Sequence, residues 1–209
     1  MKFPVNFIAL EEELKPIRSF LNGRVLNAGC GDRDITALLT SWHASSVDNC
    51  DIQSSISGAF LCDLTSIPKP DGSYDSILCN AVLEHVPDPQ GVMVEFHRLL
   101  RTNGYLVISV PFLQPFHPTP LDFRRYTRSG LEQLAERTGF RVQHIWSVHS
   151  LAQTIGWIVW AHLEERQSRL GKLLCWLPIY LSSRLFQRAP HDQYYTANSF
   201  QAVMVKTER

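Results

Sequence analysis

The 209-residue sequence has no paired-cysteine pattern. Its five thiols, Cys30, Cys50, Cys62, Cys79 and Cys175, are odd in number and form neither a C-x-x-C pair nor a zinc-like Cys/His spacing. That excludes a disulfide framework and predicts reduced thiols in a cytoplasmic protein. No stretch approaches the ~18 consecutive apolar residues of a membrane span. The opening MKFPVNFIALEEELK is broken by Glu11, Glu12 and Glu13, so no secretory leader is expected. There is no excess of either charge: Lys plus Arg and Asp plus Glu each number 20. A neutral chain has no general field with which to gather nucleic acid. Internal repeats and low-complexity tracts are also missing. What remains is the composition of a folded globule, 44% apolar, 19% charged and 11% aromatic, of a length that suits one domain over residues 1–209.

Short apolar runs at 24–28, 45–48, 59–62, 74–79 and 105–110, each bounded by Gly, Asp, Asn or Pro, read as five strands. Helical patterns at 34–40 and 89–100 lie between them. In the second, Val92, Phe96, Leu99 and Leu100 share a face, Pro89 suits the first turn and Asn103-Gly104 marks the stop. Such alternation predicts an α/β fold with a parallel sheet. A helix at 129–138 and strands at 140–148 and 199–205 follow. Residues 151–189, with GWIVWAHL and LLCWLPIYL around EERQSRLGK, are too long for a hairpin loop and read as inserted helices.

The segment RVLNAGCGDRD runs a strand into two glycines and then into an acidic helix start. Glycine at 29 permits a tight turn, and glycine at 31 keeps side-chain bulk from a ligand across the strand ends. Alone, the pair suits any tight β–α turn. Asp48 at the end of the second run could take both hydroxyls of a ribose, and Asp63 after the third could accept from an adenine amino group. Asn80 ends the fourth. Polar groups ending successive strands mark the ligand-binding edge of an open α/β sheet.

VLNAGCG, followed by CDLTSIPKPDGSYDSILCNAVLEHVPDPQGVMVEFHRLLRTNGYLVISVP, resembles the class I S-adenosylmethionine-dependent methyltransferases, most of all their small-molecule group. The likeness covers about 24–140, with a final strand at 199–205. It implies a Rossmann-like, doubly wound, mostly parallel seven-stranded sheet with helices on both faces and a helical insertion before the last strand. It further implies that Asn27, Ala28, Gly29, Cys30 and Gly31 line the methionine part of S-adenosylmethionine. Asp48, with Asn49 beside it, would hold the ribose, and Asp63 and Leu64 would flank the adenine. Asn80, Ala81 and His85 would lie near the sulfur. The chain departs from the family pattern at Asn27, where an acid is usual, and at Arg33, where a third glycine is frequent. A nicotinamide dehydrogenase is excluded because Asp34 stands at the third glycine of G-x-G-x-x-G.

Alignment dominates methyl transfer from a sulfonium, and a base is needed only where the acceptor must lose a proton. His85 is one candidate. The segment PFLQPFHPTPLDFRRYT, residues 111–127, offers two more in His117 and Asp122, besides apolar walls in Phe112, Phe116 and Tyr126 and cations in Arg124 and Arg125. It is similar to methyltransferases of glycan and cell-envelope biosynthesis. A small-molecule, sugar or lipid-linked acceptor is therefore expected. A non-catalytic binding module is the alternative that Asn27 and Arg33 allow. A protein or nucleic-acid methyltransferase is disfavoured by neutral charge and by Asn80-Ala81-Val82-Leu83 in place of an N-P-P-Y-like segment. In the insertion, Trp157, Trp160 and Trp176 beside Arg166, Arg169, Lys172, Arg184 and Arg188 suit a membrane surface or a homodimer. His43, His97, His144, His149, His162 and His191 show no metal-ligand spacing, and no metal is expected.

Overall fold

The computed structural model describes residues 2–118, 121–187 and 194–207. Arg188, Ala189 and His191, with Thr119 and Pro120 of the loop singled out above, lie outside these residues. The strands are β1 (Gly23–Ala28), β2 (Ala44–Asp51), β3 (Phe60–Leu61), β4 (Tyr74–Asn80), β5 (Leu100–Pro111), β6 (Phe140–Val148) and β7 (Ser199–Lys206). They form one sheet in the order β3-β2-β1-β4-β5-β7-β6. The first five pair in parallel, and β7 runs antiparallel between β5 and β6.

Central parallel strands are buried on both faces, which is why β1 and β4 read as nearly continuous apolar runs. Alternate residues divide between two cores. Leu26, Ile77, Leu106 and Ile108 meet Val92 and Phe96 of α3 (Pro89–Leu99) and Leu131 and Ala135 of α4 (Arg128–Arg137). Val25, Leu78, Val107 and Val203 meet Leu39 of α2 (Thr36–Trp42) on the opposite face. The same face takes Leu14 of α1 (Leu10–Leu14) and Ile17 of the 3-10 turn Lys15–Phe20. The doubly wound sheet follows from this period-two division of side chains.

The insertion is a pair of helices, α5 (Leu151–Glu165) and α6 (Arg169–Leu185). Ser150 and Gln153 close a reciprocal capping box at the start of α5, and Ser168 caps α6. Among the described residues, no helix is long and apolar enough to cross a membrane.

The connection from β3 to β4 is pinned by one ion pair. Glu95 of α3 accepts from the Ile67 amide at 2.7 Å and from both Nε and Nη2 of Arg98, at 2.8 and 2.6 Å. Arg98 also donates to the Lys69 carbonyl at 2.8 Å and to Asp71 at 2.6 Å. Glu95→Ala removes a buried acceptor, leaves the Ile67 amide without its partner and takes two of the bonds of Arg98. It should lower unfolding stability by about 2 kcal/mol or more, read as a fall in urea midpoint at unchanged slope.

Candidate active site

The carboxyl ends of β1, β2, β4 and β5 meet at one edge. The amides of Gly29 and Cys30 both donate to the Cys50 carbonyl, at 2.8 and 3.1 Å, which turns the chain sharply off β1. Both glycines have left-handed backbones, φ 73° at Gly29 and 53° at Gly31. A Cβ on Gly29 would lie 2.3 Å from Val82 Cγ2, whereas one on Gly31 would meet nothing within 4 Å. Gly29 thus permits close packing, and Gly31 opens onto the cleft. Gly31 donates its amide to Asp51 Oδ2 at 2.7 Å and accepts from Ser54 Oγ at 2.6 Å. Arg33 is exposed.

Asp48 does not end its strand. β2 continues to Asp51, and Asp48 pairs in register with Leu26, well inside the sheet. Its carboxylate accepts from Lys69 Nζ and Tyr74 Oη, both at 2.7 Å. The acid at the strand end is Asp51, which sequence reading passed over because the polar run Asp48-Asn49 looks like a strand terminus. Those residues remain in the strand because each finds a partner inside the protein. Asn27 Nδ2 donates to Asn49 Oδ1 at 2.8 Å, and Asn49 Nδ2 donates to Thr36 Oγ1 at 3.0 Å. Ala28 and Leu64 point into the core, and Cys30 is buried against Ser54. Asp63 lies just past β3, exposed, with Oδ1 accepting from the amide and hydroxyl of Thr65 at 2.8 and 2.7 Å.

Asn80 ends β4, and Ala81 follows with φ 55°, a strained conformation for a residue with a side chain. Asn80 Oδ1 is buried without a hydrogen bond in the protein. It faces a cavity of about 220 Å³ whose walls include Glu13, Glu84, Gln114, His149 and Trp157. Glu13, from a helix that sequence reading did not foresee, is buried there, and burial raises its pKa to about 7 despite the opposing charge of Arg33. The spacing of Leu10, Leu14, Ile17 and Leu21 was the available sign of a helical segment at that position. His149 Nε2 lies 3.8 Å from Glu13 Oε2, and burial lowers its pKa to about 4.

The structure also brings Glu84, His85 and His117 together. Glu84 is fully buried and neither carboxylate oxygen has a hydrogen-bond partner in the protein. The Nε2 atoms of His85 and His117 stand 3.8 and 3.9 Å from its Oε1. Facing that carboxylate raises the pKa of His117, with burial opposing.

The remaining charges of the loop after β5 contact one another and nearby backbone carbonyls. Asp122, its side chain 1% exposed, takes a two-pronged contact from Arg125 and accepts from the His117 amide at 2.8 Å. Arg125 further donates to the carbonyls of Gln114 and Pro115 at 3.0 and 2.7 Å. Arg124 donates to those of Val86 and Pro87 at 2.7 and 3.0 Å. Tyr126 is buried and donates to the Leu83 carbonyl at 3.0 Å. Asp122, Arg124, Arg125 and Tyr126 thus support the loop, and Asp122, Arg124 and Arg125 also line a cavity of about 340 Å³ with Gln114, Phe116 and Phe123. Local hydrogen bonds satisfy donors that the sequence left unassigned. Phe112 and Phe116 do border open space, a groove of about 680 Å³ completed by Ile158 and Ala161 of α5. Gln114 lines both this groove and the smaller cavity.

Residues 7–145, more than half of the chain, match a family model described as a methyltransferase domain. The chain belongs to the methyltransferase domain family. A "probable S-adenosylmethionine-dependent methyltransferase" of Mycolicibacterium smegmatis is 31% identical over 115 residues, 52% of this chain and 41% of that protein. An uncharacterized 37.1 kDa protein in transposon TN4556 of Streptomyces fradiae is 41% identical over 51 residues, 24% of this chain and 15% of the relative. The chain thus spans less than half the length of both relatives. Among solved structures, the [4+2]-cyclase SpnF superposes with TM-score 0.65 at 16% identity, over 96% of this chain and 82% of that one. The Burkholderia thailandensis 1,6-didemethyltoxoflavin-N1-methyltransferase, with bound substrate and S-adenosylhomocysteine, gives 0.60 at 17% identity, over 95% and 80%. These neighbours share the methyltransferase fold.

The Glu13–His149 contact makes a prediction for this family member. Glu13 holds its proton more tightly folded than unfolded, so its contribution to stability falls as pH rises from its ordinary 4.5 to about 7. His149 has the opposite sign, its contribution rising with pH between about 4 and its ordinary 6.5. Glu13→Gln removes the falling part alone. Relative to wild type, the variant should gain stability steadily from pH 4.5 to 7, by up to about 3 kcal/mol. Denaturant unfolding at stepped pH reads this, and a difference constant with pH refutes it.

Proposed function

We propose that this chain transfers the methyl group of S-adenosylmethionine to a small acceptor that carries an apolar, lipid-like portion. The observation that carries the reading is that Gln114 lines both a cavity at the end of β4, whose walls include Glu13, Asn80 and Glu84, and an apolar groove between Phe112, Phe116 and α5. A reacting head group suits the first and a hydrocarbon tail the second.

The residues present fit the cofactor. The open face of Gly31 accepts a ligand where a side chain would fill the space, and Asn80 Oδ1 offers a buried acceptor awaiting a donor. In this reading the backbone of Gly29, Cys30 and Gly31 receives the methionine portion, with Asn27 behind it. Asp51, at the strand end, takes the ribose hydroxyls in place of Asp48. Asp63 and Leu64 border the adenine, and Asn80 and Ala81 border the sulfonium. The bound cofactor supplies an already activated methyl group, so its departure needs no acid. Glu13 is the group on the cavity wall poised to take a proton from an acceptor near neutral pH. Asp51 also provides the negative charge that Asn27 lacks.

A second observation extends the reading to a membrane surface. Trp160 is buried, whereas Trp157, packed on Phe7, and Trp176, which donates to the Lys2 carbonyl, are half-buried. The outward apolar face of the insertion is a leucine stripe on α6. Leu170, Leu173, Leu174, Leu177 and Leu181 are 46–67% exposed, in a helix with Arg169, Lys172 and Arg184 and no acid. An apolar stripe with basic flanks suits anionic lipid.

Three outcomes are expected. S-adenosylhomocysteine should raise the melting temperature where NAD does not. Asp51→Ala should weaken its binding by ~1–3 kcal/mol through loss of a charged acceptor. After incubation of cell extract with methyl-labelled cofactor, the label should partition into the organic phase, and Ile158→Asp should abolish that labelling without changing S-adenosylhomocysteine affinity. Label confined to water-soluble products would remove the lipid-like acceptor. For the surface, anionic vesicles should co-sediment wild type and release Leu173→Asp/Leu177→Asp. A dimer by light scattering that ignores vesicles would assign the stripe to self-association.

A further inference from the structure

We infer that Glu84, His85 and His117 form a binding site for one divalent transition-metal ion, of the Zn²⁺ type. The ligand atoms of the three side chains all lie within 4.8 Å of one another. Glu84 sits in the turn after β4 and His117 in the loop after β5, so no local spacing in the chain announces the group. Folding alone assembles it.

The protonation pattern of the two imidazoles is set by their surroundings. His85 Nδ1 contacts the Leu121 carbonyl, and His117 Nδ1 lies 2.8 Å from the Pro115 carbonyl. A carbonyl only accepts, so Nδ1 of His85 carries the hydrogen and its Nε2 presents a lone pair; at His117 the Pro115 carbonyl, at 2.8 Å, is a closer partner of Nδ1 than the donor Arg125 Nη2, at 3.3 Å, and favours the same tautomer. Both lone pairs face Glu84 Oε1. Backbone carbonyls that fix the tautomer in this way are the usual outer support of metal-bound histidine.

The carboxylate supplies the second argument. Glu84 is 0% exposed and both its oxygens lack a hydrogen bond from the protein. A buried carboxylate without a hydrogen-bond partner is strongly unfavourable. A cation at the point where the three converge relieves that cost.

The donor set selects the kind of ion. Two imidazoles and one carboxylate match Zn²⁺ and related ions, whereas Ca²⁺ and Mg²⁺ favour sites built from oxygen. Ligands about 2 Å from a tetrahedral ion lie roughly 3.3 Å apart. The two Glu84 contacts, at 3.8 and 3.9 Å, need to close by about half an ångström to reach that geometry. Three protein ligands leave a fourth position open, and Glu84 also lines the cavity beside Asn80. The loop's ion pair now has a purpose: Asp122, held by Arg125, takes the His117 amide, and the His117 ring packs 5.7 Å from that of Trp157.

The site stands apart from the methyl-transfer reading and is tested without turnover. Metal-stripped wild-type protein is titrated with Co²⁺ in the visible range and with Zn²⁺ by calorimetry. One equivalent should bind, and Co²⁺ should show the intense visible bands of a four- or five-coordinate centre. Near-ultraviolet thiolate charge-transfer bands should be missing, because Cys30, Cys50 and Cys62 take no part. Glu84→Gln, His85→Ala and His117→Ala should each weaken Zn²⁺ by more than about 100-fold, beyond the range of outer-support changes. His43→Ala should leave it unchanged. The wild-type stoichiometry and spectrum decide the matter even where a variant fails to fold. No saturable equivalent at micromolar Zn²⁺, thiolate bands in the cobalt spectrum, or affinity retained in a folded His85→Ala or His117→Ala protein would each overturn the site.

Discussion

The register between β1 and β2 is the constraint from which the cleft is built. Ala28 pairs with Cys50, and the Cys50 carbonyl takes the next two amides, those of Gly29 and Cys30. That double acceptance forces the turn, brings the Gly31 amide onto Asp51 and sets the open side of Gly31 toward the cleft. A slip of one residue would reverse the side chains of β2 and send Asp48 and Cys50 together to the other face. Asn27, Asn49 and Thr36 guard against that slip with a chain of amide and hydroxyl contacts under the turn. The asparagine at 27 thus carries no charge and serves as part of a register lock.

The loop after β5 shows why a dense set of charged and aromatic residues need not contact a ligand. Arg124 and Arg125 direct their guanidinium groups to backbone carbonyls or to Asp122. An irregular loop punctuated by proline cannot satisfy its own carbonyls through helix or sheet, and arginine forks do so instead. The result is a rigid platform that presents Phe112 and Phe116 to the groove and His117 to Glu84.

The helical insertion reaches the site by way of the N-terminal segment. Gln153 donates to the Asn6 carbonyl at 2.7 Å, and the Asn6 amide donates to Ser183 Oγ at 3.0 Å. Val5 packs with Trp160 and Ile179, and a Cβ on Gly156 would lie 2.8 Å from Ile179 Cγ2, so a glycine is what lets α5 approach α6. Phe7 and Glu13 are thereby held against the cavity by residues distant in the chain. SpnF carries this fold at a TM-score of 0.65 and is a cyclase, so the chemistry of each member has to be argued from its own cleft.

Periodicity and turn chemistry were sufficient for the class of fold, for the strand order of elements along the chain and for the glycine turn. These signals are local: apolar runs bounded by Gly, Pro and Asx, the Asp88-Pro89 helix start, and the strand 140–148 whose ends agree with β6. By itself the sequence also determined that Asn80 ends a strand at the ligand edge. Partner choice is what it left open. Asp48 reads as a strand end until Lys69 and Tyr74 are seen to satisfy it inside the sheet, and Asp51 takes its place at the rim. Asp122 and Arg125 read as a substrate clamp until they are seen to hold one another. Glu13 is marked only by the helical spacing of its apolar neighbours, and the grouping of Glu84 and His85 with His117 has no linear signature. A polar side chain's role depends on which donor, acceptor or apolar wall the fold places within a few ångströms of it, and tertiary structure alone decides that.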